Sequence, residues 1–347
     1  MRSHLVLLVA LSLCAPRVCA AAAEPPRGLA LVYALTREDG GRAVTTLYLH
    51  DVASDQARPI YRDPAEGARA LGQAERDDLL GAVRTLPPGR VYLVLGAANA
   101  APAEAHKAIH RLSVPPEPDE PAAPKRVLSL DAAAAGWRWG RAPLFAVAPD
   151  GRRFAIARPG VSAAQAAISI VGADGAEQRA IPLPAEGLEV RDLAWSPDGA
   201  TLCCALLPKT NGDSPGEPPL ARAGLYLAGA GAPRLLYPCY PEAVAWGPGA
   251  DEITAVVRSG EPSAAARVAH VVSVRSGEQI REFSLRGPTG AIAHSPDGRW
   301  LAAHIRLEGE DQLWLHHRTE GWGTRLKGVP PEGGRLALAG WVALERR

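Results

Sequence analysis

Short apolar runs, some alternating and some continuous, recur along most of the chain between turns rich in proline, aspartate and glycine. Four such segments superpose without gaps. They are Ala148-Pro149-Asp150-Gly151 before RRFAIA, Ser196-Pro197-Asp198-Gly199 before ATLCCA, Gly247-Pro248-Gly249-Ala250 before DEITAV, and Ser295-Pro296-Asp297-Gly298 before RWLAAH. A weaker fifth copy is Leu86-Pro87-Pro88-Gly89 before RVYLVL. From the first proline of each turn to the next, the steps are 62, 48, 51 and 48 residues. Propeller repeats run at ~40–50 residues, so each interval suits one four-stranded blade.

The turns explain the register. Proline presets φ for the second turn position, aspartate caps nearby amides, and glycine takes the left-handed position that a three-residue hairpin loop needs. Continuous apolar runs after the turns predict strands covered on both faces by neighbouring blades. The fourth blade then reads, inner to outer, as 189–195, 200–207, 223–228 and 233–237. The sixth reads as 290–294, 299–307, 312–317 and 323–327. The first begins without an inner strand, at 28–35, 44–50 and 57–61, whereas 334–341 resembles an inner strand with no blade after it. We therefore expect an all-β, six-bladed propeller of residues 28–347, with the C-terminal strand closing the ring and removing its open edges. Two departures are a helix-compatible stretch over 64–83 and a proline-rich, acidic loop over 115–124.

The phrase AWSPDGATLCCAL and its sister HSPDGRWLAAH resemble the repeat of the TolB-like propellers, and Leu47–Asp51, Leu225–Leu227 and Leu313–Leu315 fit its third strand. The resemblance covers Gly28 to Trp341 and implies a propeller fold; because the same repeat occurs in many unrelated settings, it implies no particular function. In the family's envelope protein an α/β domain leads the propeller; here the expected start at Gly28 leaves no room for one.

The first twenty residues change the picture of location. Arg2 and His4 precede a ten-residue apolar run, Leu5 to Cys14, and Val18-Cys19-Ala20 supplies a cleavage pattern. The run is too short for a permanent anchor, which takes roughly twenty apolar residues. Residues 1–20 thus read as a cleavable signal, 21–27 as a leader, and the protein as periplasmic or secreted. Loss of Arg2 and Arg17 leaves 36 basic against 37 acidic residues, a balance that provides no field for nucleic acid. Cys203, Cys204 and Cys239 remain. Buried free thiols are the simpler reading, although a bridge from Cys239 to Cys203 or Cys204 stays open.

Chemistry is sparse. Gly212-Asp213-Ser214-Pro215-Gly216 satisfies G-x-S-x-G but lies in a proline-rich loop, without the strand and helix that a nucleophile elbow needs. Gly229-Ala230-Gly231 falls in a hairpin rather than before a helix. His106 and His110 share a third strand with no further ligand, and His316 and His317, adjacent in another, point to opposite faces. No catalytic set, metal or cofactor is expected. Polar and aromatic residues near the starts of inner strands make the channel rim the candidate binding site: Arg138, Trp139, Arg141, Arg191, Asp192, Tyr240 and Glu242. The expected role is a monomeric, non-catalytic scaffold for an envelope or secreted protein or peptide. The alternative is a propeller enzyme, lactonase- or lyase-like, with its site in the channel.

Overall fold

The computed structural model describes residues 24–39, 42–62, 83–86, 89–94, 108–114, 125–129, 144–157, 167–185, 187–208, 222–258, 267–329 and 334–344. Among them the chain forms 24 strands in six four-stranded antiparallel sheets. The first blade holds β1 (Leu29–Asp39), β2 (Arg42–Asp51) and β3 (Gln56–Arg62). The second holds β4 (Val83–Leu86), β5 (Arg90–Val94), β6 (Ala108–Ser113) and β7 (Lys125–Ser129). The third holds β8 (Phe145–Val147), β9 (Arg153–Ala157), β10 (Ala167–Gly172) and β11 (Glu177–Pro182). The fourth holds β12 (Leu188–Trp195), β13 (Leu202–Pro208), β14 (Gly224–Ala228) and β15 (Arg234–Pro238). In the fifth are β16 (Pro241–Trp246), β17 (Glu252–Arg258), β18 (Arg267–Ser273) and β19 (Gln279–Leu285). In the sixth are β20 (Thr289–His294), β21 (Trp300–Leu307), β22 (Glu310–His317) and β23 (Gly323–Arg325). Finally β24 (Arg335–Ala343) returns to the first blade as its inner strand. The inner strands β24, β4, β8, β12, β16 and β20 are neighbours in turn around the ring, and β20 meets β24 again. The fold is a closed six-bladed β-propeller.

Its turns follow the chemistry read from the sequence. In the fourth blade the Gly199 amide donates to the Ser196 carbonyl (2.8 Å), while Asp198 Oδ1 accepts from the Ser196 hydroxyl (2.5 Å) and the Ala200 amide (2.9 Å). Ser295 and Asp297 repeat this in the sixth blade. Gly151, Gly199 and Gly298 have φ of 68–70°, and Ala250 in the degenerate fifth-blade copy is forced to the same left-handed region, at 61°.

Burial alternates between blade interfaces. Cys203 packs with Cys239 and Trp246 toward the fifth blade, while its neighbour Cys204 packs with Ile168 and Leu193 toward the third. All three thiols are buried and free, and burial pushes each well up from the usual thiol range. Residues 64–82 and 115–124 lie outside the described residues, and Val83 opens a strand.

A second clasp backs the closing strand. Asp55, in the β2–β3 turn at φ 52°, accepts from the Lys327 and Gly328 amides at 3.0 and 3.1 Å and meets His50 Nε2 at 2.9 Å. The clasp also explains why the last strand of the sixth blade stops at Arg325 rather than Lys327: those amides turn away to the first blade. Asp55→Ala should cost about 1–2 kcal/mol, a few degrees of melting temperature, with Asp55→Asn costing less because asparagine keeps an acceptor and tolerates positive φ. A thermal melt of Asp55→Ala that overlays wild type would show the clasp carries no load.

Candidate functional site in the central channel

The inner strands begin at one mouth of the channel, here called upper, and end at the turns around the lower mouth. Three of them are bulged near the upper mouth. The register slips by one residue at Arg191 in β12, at Glu242 in β16 and at Gly290 in β20. These positions are 51 and 48 residues apart, the same steps as the turns below them. A bulge leaves its extra residue out of the ladder and re-aims the side chain. In the sixth blade that side chain is absent because the ring of His304 fills the space; a Cβ on Gly290 would stand 2.7 Å from His304 Nδ1.

Arg191, Asp192 and Glu242 thus line one cavity of about 550 Å³, together with Arg267, His304, Arg306, Asp311 and Arg335. Tyr240, one residue ahead of β16, is outside that lining; its carbonyl accepts from the Arg258 amide at 3.3 Å. Arg138, Trp139 and Arg141 lie outside the described residues, as do His106 and the 212–216 loop. Among the described residues, no three His, Cys, Asp or Glu side chains gather as a metal site would require.

The acids here are engaged by the protein itself. Asp192 is buried, and its two oxygens accept from the Leu193 and Val244 amides, each at 2.9 Å, tying β12 to β16. Glu242 accepts from Arg258 at 3.2 Å and from the Nε of Arg267. Asp311 Oδ2 accepts from the Leu336 amide at 2.9 Å, which fixes the closing strand, while Oδ1 stands 3.2 Å from His304 Nε2. Burial acts to raise the Asp311 carboxyl, but His304, the Leu336 amide and Arg306 together hold it below the usual carboxylate range. Arg191 pairs with Glu189 at 3.0 Å on the open rim. Arg306 has no carboxylate within ion-pairing distance among the described residues.

The lower half differs in character. A cavity of about 370 Å³ is walled by Trp195, Trp246 and Trp341 and by prolines of the turns, including Pro149, Pro197, Pro248 and Pro296. Each indole N–H is already used. Trp195 donates to the Ala146 carbonyl (3.3 Å), Trp246 to Ala194 (2.8 Å) and Trp341 to Ala293 (2.9 Å), always on the inner strand of the preceding blade. His294 takes the corresponding place in the sixth blade and meets the Thr254 hydroxyl instead, at 2.9 Å. The two cavities share Asp192, Ala291 and Leu338, so the channel passes from an ionic upper half to an apolar lower half.

The ring is similar in shape to several solved structures. One is TolB from Acinetobacter baumannii, at TM-score 0.58 and 14% identity, covering 90% of this chain and 67% of that one. The chain has a TolB-type propeller fold. A putative TolB from Agrobacterium tumefaciens gives TM-score 0.53 at 14% identity, over 85% of this chain and 88% of that one. A chain of a nidogen/laminin complex gives TM-score 0.56 at 13% identity, over 91% and 98%. No protein-family model and no curated protein matches the sequence. The likeness to the TolB propellers is therefore one of fold. No helix among the described residues is long and apolar enough to cross a membrane.

The sequence drew attention to inner-strand starts, and of its candidates Arg191, Asp192 and Glu242 meet in the upper cavity. It missed Arg267, His304, Arg306, Asp311 and Arg335. Four of these sit where strand two ends or strand three begins, which antiparallel pairing brings back to the same mouth. The blade register alone carries that signal.

Proposed function

We propose that the chain is exported and acts as a monomeric, non-catalytic propeller scaffold that holds an envelope or secreted protein or peptide at the upper mouth. The observation that carries the reading is the upper cavity itself, open, lined by arginines, and edged by bulges that aim Arg191 and Glu242 at it. Export is supported by the charged start, apolar run and cleavage pattern of residues 1–20. A like-folded chain belongs to a nidogen/laminin complex, so a propeller of this shape is compatible with protein–protein assembly. The acids that an enzyme would use here are committed to backbone amides and arginines, which favours binding over catalysis.

The test is capture from an envelope extract on immobilised protein. Charge reversal of Arg138 and Arg191 together should abolish capture of the partner that wild type retains. Undiminished capture by the double variant would move the docking site away from this rim.

A further inference from the structure

Taking the upper mouth as the docking site, we infer that it recognises a polypeptide segment in which acidic residues flank an apolar or aromatic anchor. The inference rests on how charge is distributed along the channel. At the mouth, Arg191, Arg267, Arg306 and Arg335 face three acids, Asp192, Glu242 and Asp311. Those acids are already engaged by donors of the protein, which lowers what each can offer a cationic ligand. Both oxygens of Asp192 hold amides, both of Glu242 hold guanidinium groups, and Asp311 is divided between the Leu336 amide and His304. Arg306, exposed at the end of β21, is the cation with no carboxylate within pairing distance among the described residues. A planar guanidinium in that setting suits a carboxylate of the ligand.

Deeper in, the walls become apolar. Beyond the waist at Asp192, Ala291 and Leu338 the cavity is lined by Trp195, Trp246 and Trp341, largely buried indoles whose N–H groups are already bonded, together with prolines and small apolar residues. A side chain pushed down the channel therefore gains by being apolar or aromatic, and its flanking residues, left at the mouth, gain by being acidic. A basic flank would meet only cations and occupied acids.

Fluorescence anisotropy with three end-blocked, dye-labelled octapeptides on the full chain tests this. The first sets glutamates around a Leu-Trp pair, the second replaces the glutamates by lysines, and the third keeps the glutamates but replaces Leu-Trp by serines. The first should bind about tenfold tighter than either other, and weaken as salt is raised. Arg306→Glu should cost the first peptide about tenfold and strengthen the second, an exchange of preference that misfolding cannot produce. Equal binding of the first two peptides, or an Arg306→Glu variant that changes neither, overturns the acidic preference. If that happens while envelope capture persists, the scaffold reading stands alone. If selectivity holds but Arg138 and Arg191 reversal spares capture, the docking site is what falls.

Discussion

Deletion of residues 334–347 is expected to abolish soluble folded protein, because among the described residues β24 alone supplies the inner strand of the first blade. That strand pairs with β1 from Leu29↔Ala343 to Thr36↔Arg335. It carries Leu336, Leu338 and Trp341 into a core shared with Leu31, Tyr33 and Trp300. Burying each large apolar side chain is worth about 1.5–3 kcal/mol, and a domain's total stability is only about 5–15 kcal/mol. Losing three of them, the strand ladder and the bond from Trp341 to Ala293 exhausts that margin. The deletion also leaves β1, buried from Ala30 to Thr36, as an open, largely apolar edge, a template for aggregation. Soluble yield and thermal melting are the measurements. A graded version is Trp341→Ala, with a cost of about 3–5 kcal/mol and a melting point lower by roughly 10 °C. Trp341→Phe keeps most of the packing and should lose about 1 kcal/mol with the indole donor. A truncated chain that melts like the parent would mean the ring is not held shut by its C-terminal strand.

That closure was visible in the sequence because two irregularities matched: a first blade with three strands and a last strand without a blade. The repeat was visible for a similar reason. Local turn chemistry and global topology agree, with Pro-Asp-Gly at three turns placing glycine where φ is positive. Where the chemistry decays, as at Ala250, flanking apolar runs still fix the register. The outer edge was less legible. The end of β23 is set by Asp55, some 272 residues away in sequence from Lys327, and no local pattern announces a bond of that span.

The site was legible only in part, and for a geometric reason. Reading along a strand identifies what an inner strand brings to the channel, such as Arg191 and Glu242. It does not show that Arg306 and Asp311, on the second and third strands of the sixth blade, return to the same mouth. Nor does it show that Asp192, which looks like a binding acid, is spent on two amides. A charge is available to a ligand only after the protein's own demands are met, and that accounting needs coordinates.

Stability should fall steadily as pH drops from 6.5 toward about 4, and two buried histidines set that window. Burial holds His294 down at about 4; it holds His316 down to about 4 as well, helped by the Arg286 charge. His294 is bonded to Thr254, and the His316 ring neighbours those of Phe283 and Trp314, with centroids 6.0 and 6.3 Å away, so neither is paired with an acid among the described residues. In the unfolded chain both titrate near 6.5. Above that value both states are neutral and stability is flat. Between 6.5 and about 4 the unfolded chain binds protons that the fold refuses, so each histidine removes up to about 1.4 kcal/mol per pH unit. His50, also lowered by burial despite Asp55, adds to the same slope. Below about 4 the folded histidines protonate too, and the slope passes to carboxylates held low in the fold, Asp311 among them. Two histidines over two units reach about 5 kcal/mol, comparable with the whole stability of many domains, so unfolding near pH 4.5 is expected at modest urea. Urea midpoints from pH 7.5 to 4.5 measure the slope. His294→Gln keeps a partner for Thr254 and removes one titration, and His316→Gln removes the other. Together they should flatten most of the dependence, even if each lowers the plateau at neutral pH. A double variant with the parent's slope would place the acid sensitivity elsewhere in the ring.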